Sequence, residues 1–199
     1  MLNFPIPYPD ELVYSVVARA GVHLGVSSSK ELLYDVFGSR KVISTVDFPS
    51  YLSKLSSNYP VALGIDSLKL TYDHTLFPIY APFIPEDRRL QCLRWMNDKS
   101  CGAVHLALGF AASRVRQPEN LRYCSKCLQD QFEEYGEYFW ARRWQITGAG
   151  CCLKHGCLLE SQVLRRGYSR HQFYAATPKL CKKTVQKDAE ENESFITKK

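Results

Sequence analysis

The chain has no apolar stretch approaching the roughly 18 residues that cross a bilayer, so no membrane-spanning helix is expected. Its opening residues, Met1-Leu2-Asn3-Phe4-Pro5-Ile6-Pro7, carry neither the basic start nor the apolar stretch of a secretory leader, and none is expected. No Walker-type phosphate loop, nucleophile elbow or His-x-Glu deaminase signature is present, which removes the chemistries most often carried by short motifs. His23, His74 and His105 are scattered over expected helices, and Asp73 beside His74 is one adjacent pair. None of these makes a catalytic constellation, so no catalytic residue is assigned and the chain is expected not to be an enzyme. Internal repeats and low-complexity core segments are also lacking.

What is present is enough apolar material for one sizeable core or two small ones: 199 residues, 45% of them hydrophobic and 13% aromatic. The formal net charge of +6 is unevenly placed. Residues 1–100 carry 10 Lys and Arg against 10 Asp and Glu, whereas residues 101–177 carry 10 against 6. A localised basic excess of this size suits contact with phosphate.

Eight cysteines in a chain expected to have no leader point to metal rather than to disulfides. Cys124 and Cys127 form Cys-x2-Cys; after a gap of 24 residues, Cys152 and His155 form Cys-x2-His. Each half brings two side chains to one ion, and together they supply the four soft or borderline donors of a tetrahedral Zn2+ site. A filled shell leaves no position for a reacting water, so the zinc is expected to be structural. Cys151 and Cys157 lie close enough in sequence to stand in for a ligand of the second half, and Cys157 is the better substitute. Cys92, Cys101 and Cys181 have no partner at ligand spacing and are expected to be ordinary thiols.

Basic residues crowd the same region. Arg114, Arg116, Arg122 and Lys126 precede or enter the first knuckle, Arg142 and Arg143 lie between the knuckles, and Arg165, Arg166, Arg170 and His171 follow the second. Such a set suits double-stranded DNA or an acidic protein partner. The alternative is a solvated rim paired with Glu133, Glu134 and Glu137.

Hydrophobic spacing predicts helices over about 11–24, 29–37 and 50–58, a set similar to a helix-turn-helix unit. Ser28 with Glu31 reads as a capping box, and Gly38 as a stop. Segment 66–76 is a further helical candidate. Residues 76–83 hold two prolines and read as an extended aromatic connector. Helices are then expected from Pro85 to about Asn97, over 101–112 and over 128–135. An extended stretch from Tyr138 to Ile146 and strands at 157–163 and 171–176 complete the picture. The domain division is a helical unit at 1–112, a zinc-finger unit at 113–177, and a charged linker or tail at 178–199. The fold class is mainly α with a small Cys3His zinc-ribbon-like unit.

Several stretches resemble the TniQ/TnsD family of bacterial transposon target-selection proteins. They include the opening from Asn3 to Tyr8 with Glu11 to Gly21, Asp73 to Phe83, Gly102 to Leu106 and Ala111 to Val115. Arg122 to Cys127, Tyr135 to Trp140 and Cys152 to Gly156 extend the likeness over about residues 1–176. The resemblance implies an N-terminal helical unit joined to a zinc finger whose four positions map onto Cys124, Cys127, Cys152 and His155. One departure is Leu153, where the family's second knuckle often has proline. The resemblance further implies cytoplasmic action at the nucleoid, on target DNA, with a TnsC-type AAA+ ATPase as partner. Other transposase subunits or an RNA-guided complex are further candidates. The expected arrangement lays the basic side of the zinc unit along DNA and turns the helical part to the ATPase. The alternative function is a zinc-containing transcriptional regulator without a transposition partner.

Overall fold

The computed structural model describes residues 4–100, 102–110, 118, 120–162 and 170–182. It is mainly helical, and among the described residues the one sheet is a two-stranded antiparallel pair. No helix among them is long and apolar enough to cross a membrane.

Helix α1, Val13–His23, follows a turn in which Asp10 takes the left-handed backbone conformation at φ 61°. The expected apolar stripe of Leu12, Val13, Val16, Val17 and Ala20 is buried, its last member Leu24 is exposed just past the helix, and every residue from 13 to 20 is buried as well. A helix buried all round lies between packing partners. Val13, Val16, Val17 and Ala20 enter a first core, while Tyr14 and the preceding Leu12 enter a second. Ser15 and Arg19 instead turn to two carboxylates, Glu11 and Glu137.

The first core is closed by six further helices: α2 Ser29–Phe37, α3 Leu52–Ser56, α4 Ser67–His74, α5 Phe77–Tyr80, α6 Glu86–Asn97 and α7 Ala103–Ala107. α2 buries Leu32, Leu33, Val36 and Phe37 as its spacing predicts, and stops at Gly38 with φ 67°. Ser28 is its N-cap residue, yet its hydroxyl makes no cap bond, so the expected capping box does not form. Gly21 lets α1 approach α2; a Cβ there would meet Leu32 Cδ2 at 3.0 Å. α3 is shorter than the expected 50–58, and residues 38–51 separate it from α2. The turn of a tight helix-turn-helix has about three or four residues. Asn58 ties α2 to α3, donating from Nδ2 to Val36 O at 3.0 Å and Leu55 O at 3.1 Å.

Residues 76–83 are not the extended connector that two prolines suggest. Phe77–Tyr80 is one helical turn, and Ala81–Phe83 is a 3-10 turn. Both prolines sit in a first turn, where a missing N–H costs nothing. α7 is also shorter than the expected 101–112, and Gly109 at φ 75° follows it. Residues 101, 111 and 112 of that expected helix, and the expected domain boundary at 112/113, lie outside the described residues.

The second core gathers Leu121, Tyr123, Leu128, Trp140 and Trp144 with Leu12 and Tyr14. Strand β1, Leu121–Tyr123, pairs antiparallel with β2, Glu160–Gln162, joining Tyr123 to Glu160 in register. Helix α8, Ser125–Tyr135, starts three residues before the expected position and ends at Gly136 with φ 77°. The stretch 138–146 is only partly extended. Ala141 bridges to Glu11, after which Arg142–Gln145 forms a 3-10 turn. That turn sends Gln145 inward, where its side-chain amide accepts from Arg122 N at 3.1 Å and donates to Arg122 O at 2.7 Å. Residues 171–176 do not form the expected strand, because side chains take up their backbone groups. Tyr174 N donates to Tyr14 Oη at 3.0 Å, and Trp140 Nε1 donates to Tyr174 O at 2.7 Å. Leu180 and Cys181, placed by composition in the charged tail, pack on the second core.

A polar network fastens α1 to the segment after α8. Arg19 is 4% exposed and Glu11 0%. Arg19 Nη1 donates to Glu11 Oε2 and Nη2 to Glu137 Oε1, both at 2.7 Å. Tyr8 Oη and His23 Nε2 also reach Glu137, at 2.7 and 2.8 Å, and the Arg19 guanidinium lies 4.0 Å over the Tyr8 ring. Burial opposes the Glu137 charge, but the bonds from Arg19, Tyr8 and His23 prevail and lower its pKa from 4.5 to about 2. A depressed carboxylate stabilises the fold above its unfolded pKa, and this contribution disappears as pH falls through the folded one. Wild-type protein is therefore expected to exceed Glu137→Gln in stability above pH 4.5, the gap closing by about pH 2. Urea denaturation across that range checks this, and a gap independent of pH would contradict it.

Candidate metal centre

Two short pieces of backbone deliver the four donors. β1 leads directly into Cys124, which is the N-cap residue of α8 and places Cys127 in its first turn. Cys127 N donates to Cys124 Sγ at 3.4 Å. A sulfur at a helix N-terminus faces unpaired N–H groups and the positive end of the dipole, which favours the thiolate. The second knuckle is a tight loop in which Gly156 N donates to Cys152 O and Cys152 N to Cys157 O, both at 2.8 Å.

These pieces bring Cys124, Cys127, Cys152 and His155 together, with all four donor atoms within 4.8 Å of one another. His155 Nδ1 lies 3.4 Å from Cys124 Sγ, 3.2 Å from Cys127 Sγ and 3.8 Å from Cys152 Sγ. Cys127 Sγ and Cys152 Sγ are 3.5 Å apart. A tetrahedral ion with metal–sulfur bonds of about 2.3 Å and a metal–nitrogen bond of about 2.0 Å sets its donors roughly 3.5 to 3.8 Å apart. The donor spacing thus fits a metal ion. The three cysteines are buried, and as neighbours they push the Cys127 thiol above its ordinary value. Three adjacent thiolates need a cation among them.

His155 is oriented from behind. Its Nε2 lies 3.4 Å from Asp130 Oδ2 on α8, and Lys154 Nζ reaches the same oxygen at 2.5 Å. A carboxylate on the outer nitrogen holds the proton there and leaves Nδ1 free as a donor. Spacing in the sequence finds the four converging donors but not Asp130, which a helix turn brings back to a loop 25 residues later. Cys92 and Cys181 are buried thiols of the first and second cores, and Cys101 lies outside the described residues.

The basic residues separate into different surroundings. Arg122 is half-buried, its two Nη atoms donating to Ala149 O and Ile146 O, and burial lowers its pKa. Arg142 donates to Asp10 Oδ1 at 3.2 Å and to Tyr72 O at 2.7 Å; Arg143 reaches Asp10 Oδ2 at 3.3 Å. Lys126 and Arg170 are exposed. Arg114, Arg116, Arg165 and Arg166 lie outside the described residues. Glu137, considered above as a partner for this group, serves Arg19 and His23. His74 and His105 are satisfied structural residues: His74 Nδ1 is 2.8 Å from Glu11 O, and His105 Nε2 is 3.0 Å from both Asp47 oxygens.

The TniQ family model matches residues 2–159, most of the chain and all four donors. The chain belongs to the TniQ family. This TniQ-family chain is 45% identical over 175 residues to the Transposon Tn7 transposition protein TnsD of Escherichia coli. The matched region is 88% of this chain and 34% of TnsD, so the chain spans about a third of that relative's length.

Proposed function

We propose that this chain is a target-selection adaptor of DNA transposition. In this reading it engages double-stranded target DNA, recruits a TnsC-type AAA+ ATPase and performs no bond chemistry itself. The observation that carries the reading is the 45% identity to a transposition protein over 88% of this chain. The donor set supports Zn2+ as the metal, because three thiolates and one imidazole at tetrahedral spacing are a closed structural zinc shell. Bound zinc would cross-link the start of α8 to the second knuckle. Lys126, Arg143 and Arg170 are the described cations we assign to the DNA face, with Arg114, Arg116, Arg165 and Arg166. Arg122 and Arg142, engaged with carbonyls and Asp10, are assigned to holding that face in shape. The neutral helical part is assigned to the ATPase, and its first three helices to packing.

The test combines retention of a TnsC-type ATPase, with and without DNA, and DNA binding over a salt series. Lys126→Glu with Arg170→Glu is expected to weaken DNA binding several-fold. Loss of two phosphate contacts reduces the slope of log affinity against log salt by about two. Unchanged binding and slope would remove DNA contact from this face, and failure to retain the ATPase would remove the adaptor role.

A further inference from the structure

Cys157 lies two residues beyond His155 and outside the set of four converging donors. It has no solvent exposure, and its Sγ is 3.6 Å from Cys124 Sγ. Its carbonyl closes the knuckle by accepting from Cys152 N. Cys157 is therefore a sulfur beside one vertex of the tetrahedron, fixed there by the same loop that delivers two ligands. A metal-bound cysteine has given up its proton. In the contact between Cys124 and Cys157, the one sulfur able to donate is then Cys157.

We infer that Cys157 is a positioning residue of the metal centre, its S–H donating a hydrogen bond to the Cys124 thiolate. This rests on the proposed structural metal. The bond adds to the one from Cys127 N, so Cys124 takes two donors. Both draw charge from the sulfur, which makes it a poorer nucleophile and fixes its direction. Outer-shell partners of this kind slow metal loss without touching the ion. The Cys-x2-His-x-Cys spacing thus serves two roles: its first two members bind, and its third restrains a ligand on the other knuckle.

The experiment uses the full chain with Cys157→Ala, which removes the donor, and Cys157→Ser, which keeps a hydroxyl donor. Metal content is measured first, then transfer of zinc to a chromogenic chelator and the sulfur-to-metal band of the Co2+-substituted protein. Cys157→Ala is expected to keep one equivalent, release it about five-fold faster, as loss of one weak hydrogen bond implies, and shift the band to lower energy. Cys157→Ser is expected to stay within about two-fold of wild type. Wild-type release from Cys157→Ala, equal release from both variants, or less than one equivalent in Cys157→Ala would overturn the inference. Less than one equivalent would make Cys157 a ligand. Wild-type protein that binds no metal would sink the underlying metal reading instead.

Discussion

Cys127→Ser is expected to lose the proposed metal and, with it, the second core. Cys124, Cys127, Cys152 and Cys157 are themselves members of that core, packed with Leu121, Tyr123, Trp140 and Trp144. The two-stranded sheet beside them is only three residues long on each side, too small to hold the knuckles together alone. Metal binding in small zinc units contributes on the order of 10 kcal/mol, most of which disappears with one of four ligands. A thermal midpoint at least about 10 °C lower is expected, since each kcal/mol shifts a domain of this size by about 2–4 °C. A chelator should do the same to wild type. Trp140 and Trp144 are buried in the second core, while Trp95 packs on the first, so tryptophan emission will report which core opens. Cys92→Ala, a thiol of the first core, should cost only about 1 kcal/mol and leave metal content unchanged. If Cys127→Ser keeps wild-type emission and melting, the metal does not hold this core.

The second large effect concerns Arg19. Arg19→Met leaves the fully buried Glu11 carboxylate without its counter-charge. Breaking a buried pair from one side costs about 3–5 kcal/mol. Glu137, being partly exposed, recovers water and loses less. The double variant Arg19→Met with Glu11→Gln should recover much of the loss, because removing both charges removes the stranded one. Urea denaturation of the four proteins gives the coupling directly. Additive losses would show that the pair is not energetically linked.

The cluster of Cys124, Cys127, Cys152 and His155 was legible because each knuckle is local: two donors within four residues leave few geometries open, and the fold brings the two knuckles together across the long gap. Helices α2 and α6 were legible for the same reason, through spacing and a stop or first-turn signal. The errors have physical causes. Pro78 and Pro82 signalled extended chain, but each occupies a first turn, where proline is welcome. α8 begins earlier than periodicity suggests because the Cys124 sulfur occupies the capping position. Residues 171–176 have strand-like composition, yet the phenol of Tyr14 and the indole of Trp140 take their backbone groups. Arg122 reads as a surface cation until the carbonyls at 146 and 149 capture it. The Arg19 network could not be read at all. Glu137 is 118 positions away, and nothing local marks it as the partner of an arginine on α1.

The placement of α1 between the two cores bears on how the chain is born. Its first apolar partners, on α2, are made within twenty residues, but Trp140, Trp144 and Phe173 come more than a hundred residues later. While the ribosome is still translating the metal-binding segment, Leu12 and Tyr14 have no cover. The early product is thus a half-dressed helix, exposed to chaperones and to other nascent chains until the residues of the second core have been made.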